Sequence, residues 1–231
     1  MVSKLYYKNK LIIKLIKPFE NKRLFSPLKL NIFTLRDYKL WPEKLIALDA
    51  FCQTGLQWTR VFSQEAYHLE MWDIDPDATK YAKKEFPNAV VTCGDSIDAL
   101  MNRKFSRKDF NFVLIDSPLP YIYEDGTFEH FKFFDSIFGN IANEAVIMLD
   151  VVPDIQTMLN LHPQPQDFVN KWVNARNQFY GVTNGGVVLP GDMTEIYRKK
   201  VELLGYKIKY IAYNARNEHF GLLTMAVSKL R

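Results

Sequence analysis

Short apolar runs alternate with helical patterns of apolar residues between residues 45 and 151. The apolar runs have the length of buried β-strands and lie at residues 45–50, 68–72, 89–93, 110–115 and 145–151. The helical patterns lie between them, at residues 54–63, 76–86, 95–101 and 128–141. Strands that alternate with helices are typical of βαβ units, so this part of the chain predicts an α/β fold with a parallel sheet and helices on both of its faces.

The regular alternation breaks after the fifth strand, in a segment that we expect to form a lid. Residues 153–191 contain four prolines and a glycine-containing loop. Within this segment, residues 166–179 have apolar side chains at helical spacing. A further helix is predicted at residues 193–204, and two strands after it, at 207–213 and 221–227, are predicted to form an antiparallel hairpin.

The composition is that of an ordinary folded domain. Of the 231 residues, 48% are apolar and 24% are charged, so we expect one domain with a sizeable core and no disordered or fibrous architecture. The apolar runs fall well short of the roughly 20 residues that cross a bilayer, so no membrane span is expected. No small-residue cleavage site follows the lysine-rich start, so no secretion signal is expected either. With only two cysteines, the expected location is the reducing cytoplasm.

Positive charge is concentrated at the start of the chain. Residues 1–44 hold 11 Lys or Arg against three acids, a balance of +8, whereas the whole chain has a net charge of +4. We therefore divide the chain into a basic N-terminal arm, residues 1–44, and a domain at residues 45–231. The arm can attract the phosphates of a nucleic acid or an anionic membrane surface. Alternatively, it is a solvated pair of strands whose lysines protect an exposed sheet edge.

The first predicted strand ends in an acid and runs into a turn that suits a ligand. Asp49 stands at the strand tip, Phe51 follows, and Gly55 lies near the predicted start of a helix. The free N–H groups of a helix N-terminus can bind a carboxylate, while Asp49 balances a nearby ammonium or sulfonium. Gly55 would let the backbone approach a ligand closely. Many α/β proteins carry an acid and a glycine here for structural reasons alone.

The next three predicted strands also end in acids. Asp73 follows the second strand, roughly 20 residues beyond the first turn, where nucleotide-binding α/β folds hold ribose hydroxyls. Asp95 follows the third strand, where it either binds a ligand or caps the next helix, and Asp116 follows the fourth. Because open α/β sheets bind ligands at the carboxyl ends of their strands, four such acids in succession predict a binding site at that edge.

The chain from residue 45 onward resembles the class I S-adenosylmethionine-dependent methyltransferases in these strand tips. The resemblance implies a Rossmann-like, mostly parallel sheet of seven strands, with the last strand inserted antiparallel. It also implies S-adenosylmethionine as the cofactor, with its methionine part at the turn from Asp49 through Phe51 to Gly55. Asp73 would hold the ribose. The residues implied for the adenine are Ile74, Asp95 and Ser96.

The methionine-binding turn departs from the usual family pattern. The family has a second glycine where this chain has Cys52, Gln53 and Thr54. The opening, an acid with a phenylalanine two residues later, is similar to a variant found in some tRNA and rRNA methyltransferases. We therefore keep open a non-catalytic binding module on the same fold, in which the altered turn no longer holds the cofactor.

The segment after the fourth strand is the candidate acceptor site. It runs from Asp116 through Ser, Pro, Leu and Pro to Tyr121, and it is similar to the Asp/Asn-Pro-Pro-aromatic loop of enzymes that methylate amino groups of nucleic acids, with different spacing. Asp116 and Tyr121 are the predicted catalytic residues, and Asp116 could equally take the proton of a hydroxyl group. Asp150 and Asp116 loosely match the acids of metal-dependent O-methyltransferases. Because Val151 follows Asp150 where that family has Asn, no metal is expected.

The predicted function is that of an enzyme, an S-adenosylmethionine-dependent methyltransferase whose small-molecule acceptor is held under the lid. The acceptor-binding residues that we expect are Pro118, Tyr121, His162 and Trp172. The alternative acceptor is a structured RNA, such as tRNA or rRNA, bound through the basic arm.

Overall fold

The structure is a computed structural model that describes residues 26–116, 129–161, 163–217 and 219–230. Its strands form one sheet: β1 (Leu45–Asp49), β2 (Ala66–Asp73), β3 (Val90–Cys93), β4 (Phe110–Ile115), β5 (Ile141–Val151), β6 (Tyr206–Ala215) and β7 (Gly221–Lys229). The strand order is β3-β2-β1-β4-β5-β7-β6. Strands β1 to β5 pair in parallel, and β7 lies antiparallel between β5 and β6. The predicted seven-stranded, mostly parallel sheet with a C-terminal antiparallel hairpin is therefore confirmed.

Helices cover both faces of this sheet, as the apolar pattern predicts. In chain order they are α1 (Pro27–Asp37), α2 (Thr59–Phe62), α3 (Pro76–Glu85), α4 (Ser96–Asn102), α5 (Phe134–Ile137), α6 (Ile155–Leu161), α7 (Gln166–Tyr180) and α8 (Pro190–Leu203). Helices α1, α2 and α3 share one core with Val146 and Met148 of β5, whereas α4, α5 and α8 share another with Ile147 and Leu149. Successive residues of β5 thus face opposite layers, as the two-residue period of a strand requires. None of the described helices is long and apolar enough to cross a membrane.

Two of the predicted helices begin at acids that cap them. The side chain of Asp75 accepts hydrogen bonds from the backbone N–H groups of Asp77 and Ala78, and Pro76 occupies the first position of α3. Asp95 accepts equivalent bonds from the first turn of α4. A carboxylate in this position satisfies N–H groups that have no partner within the helix, so both starts are set locally by the sequence.

The helix predicted at residues 54–63 is largely absent. Only Thr59–Phe62 is helical, and a 3-10 turn at Ser63–Glu65 follows it. Both Gln53 and Gly55 have positive φ angles, 47° and 72°. A helix cannot run through residues in this left-handed conformation, so the chain forms a turn before α2 begins.

The helix predicted at residues 128–141 is also much shorter, because α5 spans only Phe134–Ile137. Glu129 has a positive φ of 48°, and the backbone N–H of Phe133 bonds to the carbonyl of His130, which is a turn rather than a helical bond. At its other end, residue 141 already belongs to β5. The apolar residues here have helical spacing because they fill the core, and this spacing alone does not distinguish a helix from successive turns.

Helix α1 lies within the segment assigned to the basic arm, yet it belongs to the core. Leu28 and Leu35 are fully buried, and Asn31 donates a 2.8 Å hydrogen bond to the Thr224 hydroxyl of β7. Ser26 caps the helix through its hydroxyl. The alternative of a solvated strand pair is therefore wrong for the described part of the arm. A domain boundary at residue 44 would separate α1 from the sheet that it covers.

The segment predicted to form a lid contains α6 and α7 and ends in the first turn of α8. The helix predicted at residues 166–179 is confirmed with one further residue. A buried ion pair joins α7 to the chain after β4, because Arg176 Nη1 lies 2.6 Å from Glu129 Oε1. An isolated β-bridge between Asp154 and Val187 links the two ends of the segment. The segment predicted to form a lid is thus packed onto the rest of the domain through a polar, buried contact.

Candidate functional site

Acids at the carboxyl ends of neighbouring strands come together at one edge of the sheet. Asp49 ends β1, where it aligns with Met71 of β2 on one side and Leu114 of β4 on the other. Asp73 ends β2, and Asp116 follows β4 directly. Parallel strands end at the same edge, so these carboxylates face the region where open α/β sheets bind their ligands.

Asp49 is the most deeply buried of these acids, with 1% of its surface exposed. Its Oδ2 atom accepts a hydrogen bond from the hydroxyl of Thr59, whereas Oδ1 is buried with no hydrogen-bond partner among the described residues. Burial raises the pKa of Asp49 to about 7, against the hydrogen bond from Thr59, which lowers it. A buried carboxylate oxygen without a partner is costly, so this atom is the candidate contact for a bound donor.

Asp73 holds two loops in place at the tip of β2. One carboxylate oxygen accepts a 2.7 Å hydrogen bond from the backbone N–H of Gln53, and the other accepts a 2.9 Å bond from Asp75. Burial raises its pKa and these backbone bonds oppose the rise. Each oxygen retains a further lone pair, so Asp73 can still accept hydrogen bonds from hydroxyl groups such as those of a ribose.

Local packing requires a glycine at position 55, in addition to the close approach of a ligand to the backbone that the sequence predicts. A Cβ atom at this position would lie 2.5 Å from the ring of Phe86 and 2.7 Å from Met71, and the φ angle of 72° disfavours other residues. The half-buried ring of Phe51 lies 5.7 Å from that of Phe133. The structure therefore accounts for Gly55 through local packing, independently of any ligand.

The residues implied for the adenine lie at the tips of β2 and β3. Ile74 is 68% exposed, so its apolar side chain is accessible to a ligand at the tip of β2. Asp95 caps α4 through Oδ1, so its capping role is observed, and no hydrogen bond to Oδ2 is assigned within the described residues. The hydroxyl of Ser96 is buried and has no hydrogen-bond partner in the described part of the chain.

Asp116 is not a free carboxylate, because Arg216 contacts it from the connection between β6 and β7. Arg216 Nη1 lies 3.1 Å from Asp116 Oδ1, and the same nitrogen donates to the buried carboxylate of Asp150 in β5. The guanidinium also stacks on Trp58, 4.5 Å from the ring centre. Asp116 therefore belongs to a cluster of four side chains from four separate segments.

The sequence did not reveal the role of Arg216. Its surroundings, residues 214–218, read as a polar turn between two strands, and nothing local distinguishes this arginine from a solvated one. It lies 100 residues from Asp116 and 66 residues from Asp150 along the chain. Only the insertion of β7 beside β5 brings the three together. The one available signal was Asp150, an acid inside an otherwise apolar strand.

Trp172 has a structural role that differs from the expected acceptor contact. It is 1% exposed and packs with Ile155 and Met158, and its indole N–H lies 3.1 Å from Glu129 Oε1. Trp172 thus packs within the segment predicted to form a lid, and the acceptor contact expected of it stays a prediction. The other acceptor residues, namely Pro118, Tyr121 and His162, lie outside the described residues.

The acids at this edge do not form a metal site among the described residues. Within residues 26–116, 129–161, 163–217 and 219–230, no group of three or more His, Cys, Asp or Glu side chains is arranged to hold an ion. A nitrogen of Arg216 lies between the carboxylates of Asp116 and Asp150. The cation that these acids contact in this structure is therefore a guanidinium.

A surface depression at the opposite edge of the sheet does not coincide with these acids. It lies beside the start of β1 and is lined by residues that include Arg36, Trp41 and Glu65. Ligands of open α/β sheets bind at the carboxyl ends of strands, whereas this depression is at the amino end of β1. We therefore assign the candidate site to the acids and not to the depression.

The strand order, the single antiparallel strand and the acids at the strand tips together define the Rossmann-like fold of the class I methyltransferases. Solved structures with this fold include a TehB-like SAM-dependent methyltransferase from Corynebacterium glutamicum, with 17% identity, a TM-score of 0.52 and coverage of 98% of this chain and 99% of that one. No family model matches the chain, and no curated protein matches its sequence.

Two further structures combine this fold with bound small molecules. The plantazolicin methyltransferase BpumL, in complex with a desmethylPZN analog and SAH, has 14% identity, a TM-score of 0.56 and coverage of 98% and 93% of the two chains. A 1,6-didemethyltoxoflavin-N1-methyltransferase from Burkholderia thailandensis has 9% identity, a TM-score of 0.52 and coverage of 95% and 86%. At these identities the likeness concerns the fold.

Proposed function

We propose that this chain is an S-adenosylmethionine-dependent methyltransferase with its cofactor at the carboxyl edge of β1, β2 and β3. The observation that carries the proposal is Asp49, a buried carboxylate at the tip of β1 whose Oδ1 atom has no partner among the described residues. An amino acid ammonium would supply the missing donor and the missing positive charge. The structures with this fold that are bound to SAH support the same ligand.

The residues present fit the parts of this cofactor. Asp49, Phe51 and Gly55 form the turn for the methionine part, and Asp73 has lone pairs left for the ribose hydroxyls. The adenine would lie against Ile74, within reach of Asp95 and Ser96. Ile74 supplies an exposed apolar surface, and Ser96 supplies a hydroxyl that has no described partner. When bound, S-adenosylmethionine supplies an electrophilic methyl group, and the protein contributes mainly position and a dry surrounding.

The acceptor side would begin at Asp116, with Tyr121 as a second catalytic candidate and Pro118 and His162 as candidate contacts. A small-molecule acceptor is favoured because the lid is joined to the domain by the buried pair of Glu129 and Arg176, which leaves a fixed wall rather than an open surface. One protein with this fold, the 1,6-didemethyltoxoflavin-N1-methyltransferase, has 1,6-didemethyltoxoflavin bound, which supports the same class.

A structured RNA is the second candidate acceptor, because of the basic start of the chain. The two acceptors differ in their dependence on salt. Binding to RNA should weaken by about tenfold or more when the salt concentration is raised from 50 to 200 mM, since phosphate contacts release counterions. Equal binding of a tRNA pool at both concentrations, or no binding, would leave the small-molecule acceptor.

Calorimetry with S-adenosylhomocysteine tests the cofactor site directly. The wild-type protein should bind it, and Asp73→Ala should weaken binding by about tenfold or more. The melting temperature should fall as well, because Asp73 also accepts backbone hydrogen bonds from Gln53 and Asp75. Asp77→Ala, which removes an exposed acid from the first turn of α3, is the matched control and should bind normally. A wild-type protein that does not bind this ligand would instead be a binding module on a methyltransferase fold.

A further inference from the structure

We infer that Asp116, Asp150 and Arg216 form one unit that accepts a proton from the acceptor, and that the acceptor is therefore an amine rather than an anion. The inference rests on the proposed function and names the substrate class of that site. In it, Asp116 is the catalytic residue that touches the acceptor, and Asp150 and Arg216 are positioning residues.

The unit is assembled from three separate parts of the sheet. Asp116 follows β4, Asp150 lies in the neighbouring strand β5, and Arg216 follows β6. The same guanidinium nitrogen contacts both carboxylates, at 3.1 Å from Asp116 and at a shorter distance from Asp150. Of the two acids, Asp150 is the more buried and Asp116 the more exposed, so Asp116 presents its carboxylate to the open side.

Arg216 is held from a second direction by aromatic rings. Its guanidinium lies 4.5 Å from the ring centre of Trp58 and 5.9 Å from that of Phe220. A guanidinium stacked on a ring and bonded to two carboxylates is fixed in position and has its charge already compensated. It is therefore poorly suited to bind a carboxylate or phosphate group of a substrate.

The charges around the unit favour an acceptor molecule that donates a hydrogen bond over one that carries a negative charge. Two carboxylates share a single cation, and Asp49 adds a third acid close enough for its charge to interact with that of Asp116. Burial, followed by the charge of Asp116, raises the pKa of Asp150 against the opposing effect of Arg216. Asp150 is therefore the acid of this unit that favours its protonated form, and Asp116, the more exposed of the two, faces the ligand as a hydrogen-bond acceptor.

An amine acceptor fits this arrangement in two ways. It can donate a hydrogen bond to Asp116, and it brings no negative charge that Arg216 would have to neutralise. Its nitrogen lone pair forms the new bond to the methyl carbon, while the carbon–sulfur bond breaks and its electron pair stays on sulfur. The nitrogen must then lose one proton, and the Asp116 carboxylate accepts it. The proton stays on Asp116, whose carboxyl group Arg216 holds in place, while Asp150 in turn holds Arg216.

Sinefungin offers a direct test that needs no known acceptor. In this analogue a carbon that carries an amino group replaces the sulfonium and its methyl, so its amine occupies the place where the methyl group would be transferred. The wild-type protein should bind sinefungin at least about tenfold more tightly than S-adenosylhomocysteine, because the amine would donate to Asp116.

Three variants test whether the preference for sinefungin over S-adenosylhomocysteine depends on Asp116 and Arg216. Asp116→Asn should remove most of the preference for sinefungin while leaving the affinity for S-adenosylhomocysteine within about twofold. Arg216→Lys keeps the charge but loses the shared geometry, so the preference should fall by a smaller factor. Asp192→Asn, an exposed acid in the first turn of α8, is the control and should keep the wild-type ratio.

The outcomes separate this inference from the proposed function. Equal binding of the two ligands by the wild-type protein, or an unchanged ratio in Asp116→Asn, would overturn the inference alone. Failure of the wild-type protein to bind either ligand would overturn the proposed function, and the inference with it. A ratio that falls in Asp116→Asn and in Arg216→Lys but not in Asp192→Asn supports the unit as described.

Discussion

Two buried carboxylates in this molecule have opposite surroundings. Glu129, beneath the lid, receives Arg176 at 2.6 Å and the indole N–H of Trp172 at 3.1 Å on one oxygen. Asp49, at the tip of β1, receives one hydroxyl, from Thr59, and no cation contacts it among the described residues. The protein thus neutralises Glu129 internally and leaves Asp49 to be neutralised by a proton or by a ligand. A buried acid without a buried cation is the better guide to a binding site.

The largest expected effect is a loss of stability when the ion pair of Glu129 and Arg176 is broken. Replacing Arg176→Met removes the cation and leaves Glu129 buried and unpaired, which should cost about 3–5 kcal/mol of unfolding free energy. Differential scanning calorimetry should show a melting temperature lower by roughly 10 °C. The double variant Arg176→Met with Glu129→Gln should recover part of the loss. A single variant with wild-type stability would mean that the pair is not neutralising a buried charge.

Glycine-to-alanine substitutions compare the cost in stability at the turn after β1 with that at the end of α7. Gly55→Ala, in the cofactor turn, combines a positive φ with contacts to Phe86 and Met71, and should cost about 2 kcal/mol in denaturant unfolding. Gly181→Ala, at the end of α7, has the positive φ but nothing within 4 Å, so it should cost about half as much. Gly191→Ala has neither feature and is the control. Equal losses at Gly55 and Gly181 would show that the close packing at Gly55 relaxes without cost.

The next largest expected effect is a change with pH in the affinity for S-adenosylhomocysteine, which we attribute to Asp49. A bound ammonium favours the ionised form, so the affinity for S-adenosylhomocysteine should rise by about tenfold between pH 5.5 and 7.5, and Asp49→Asn should remove this rise. In the protein without ligand, the contribution of Asp49 to stability changes with pH in the opposite direction to the affinity. Asp49 keeps its proton in the folded state up to about pH 7 but loses it near 3.8 when unfolded, so its contribution to stability falls across that range. An affinity in the wild-type protein that does not change with pH would remove Asp49 from the cofactor site.

The smallest effect again concerns the lid. Trp172→Phe keeps most of the packing but removes the indole donor to Glu129, while Arg176 remains bonded to the same oxygen. Chemical denaturation should show a loss of about 1 kcal/mol. Binding of S-adenosylhomocysteine should not change. A loss of affinity instead would show that the lid cluster and the strand-tip acids are coupled.

The parts of the fold that the sequence predicts well are those set by neighbours along the chain. Strand β4 was predicted with its observed bounds because an uninterrupted apolar run ends at Asp116. Helix α3 was predicted within one residue because Asp75 and Pro76 fix its start. The positive φ of Gln53 has no such local signal, and together with that of Gly55 it places a turn where a helix was expected after β1.

The contacts that define the candidate site are mostly between distant residues, and these could not be predicted. The acids at the strand tips were identified because each follows an apolar run. Arg216 was not, because its partners lie 66 and 100 residues away, and the pair of Glu129 and Arg176 is separated by 47 residues. A charged residue looks the same in a sequence whether it is solvated or buried in an ion pair.

The contact between α1 and β7 has a consequence for how this protein is made. Asn31 bonds to Thr224, and Asn214 of β6 bonds to Asn31 in turn, which joins residues more than 180 positions apart. A ribosome therefore releases these partners of α1 only after it has made more than 180 further residues. Until then, Leu28 and Leu35 have no sheet face to cover at β7, and β5 has an unpaired edge. We expect the nascent chain to stay open, and to depend on protection from aggregation, until β7 emerges.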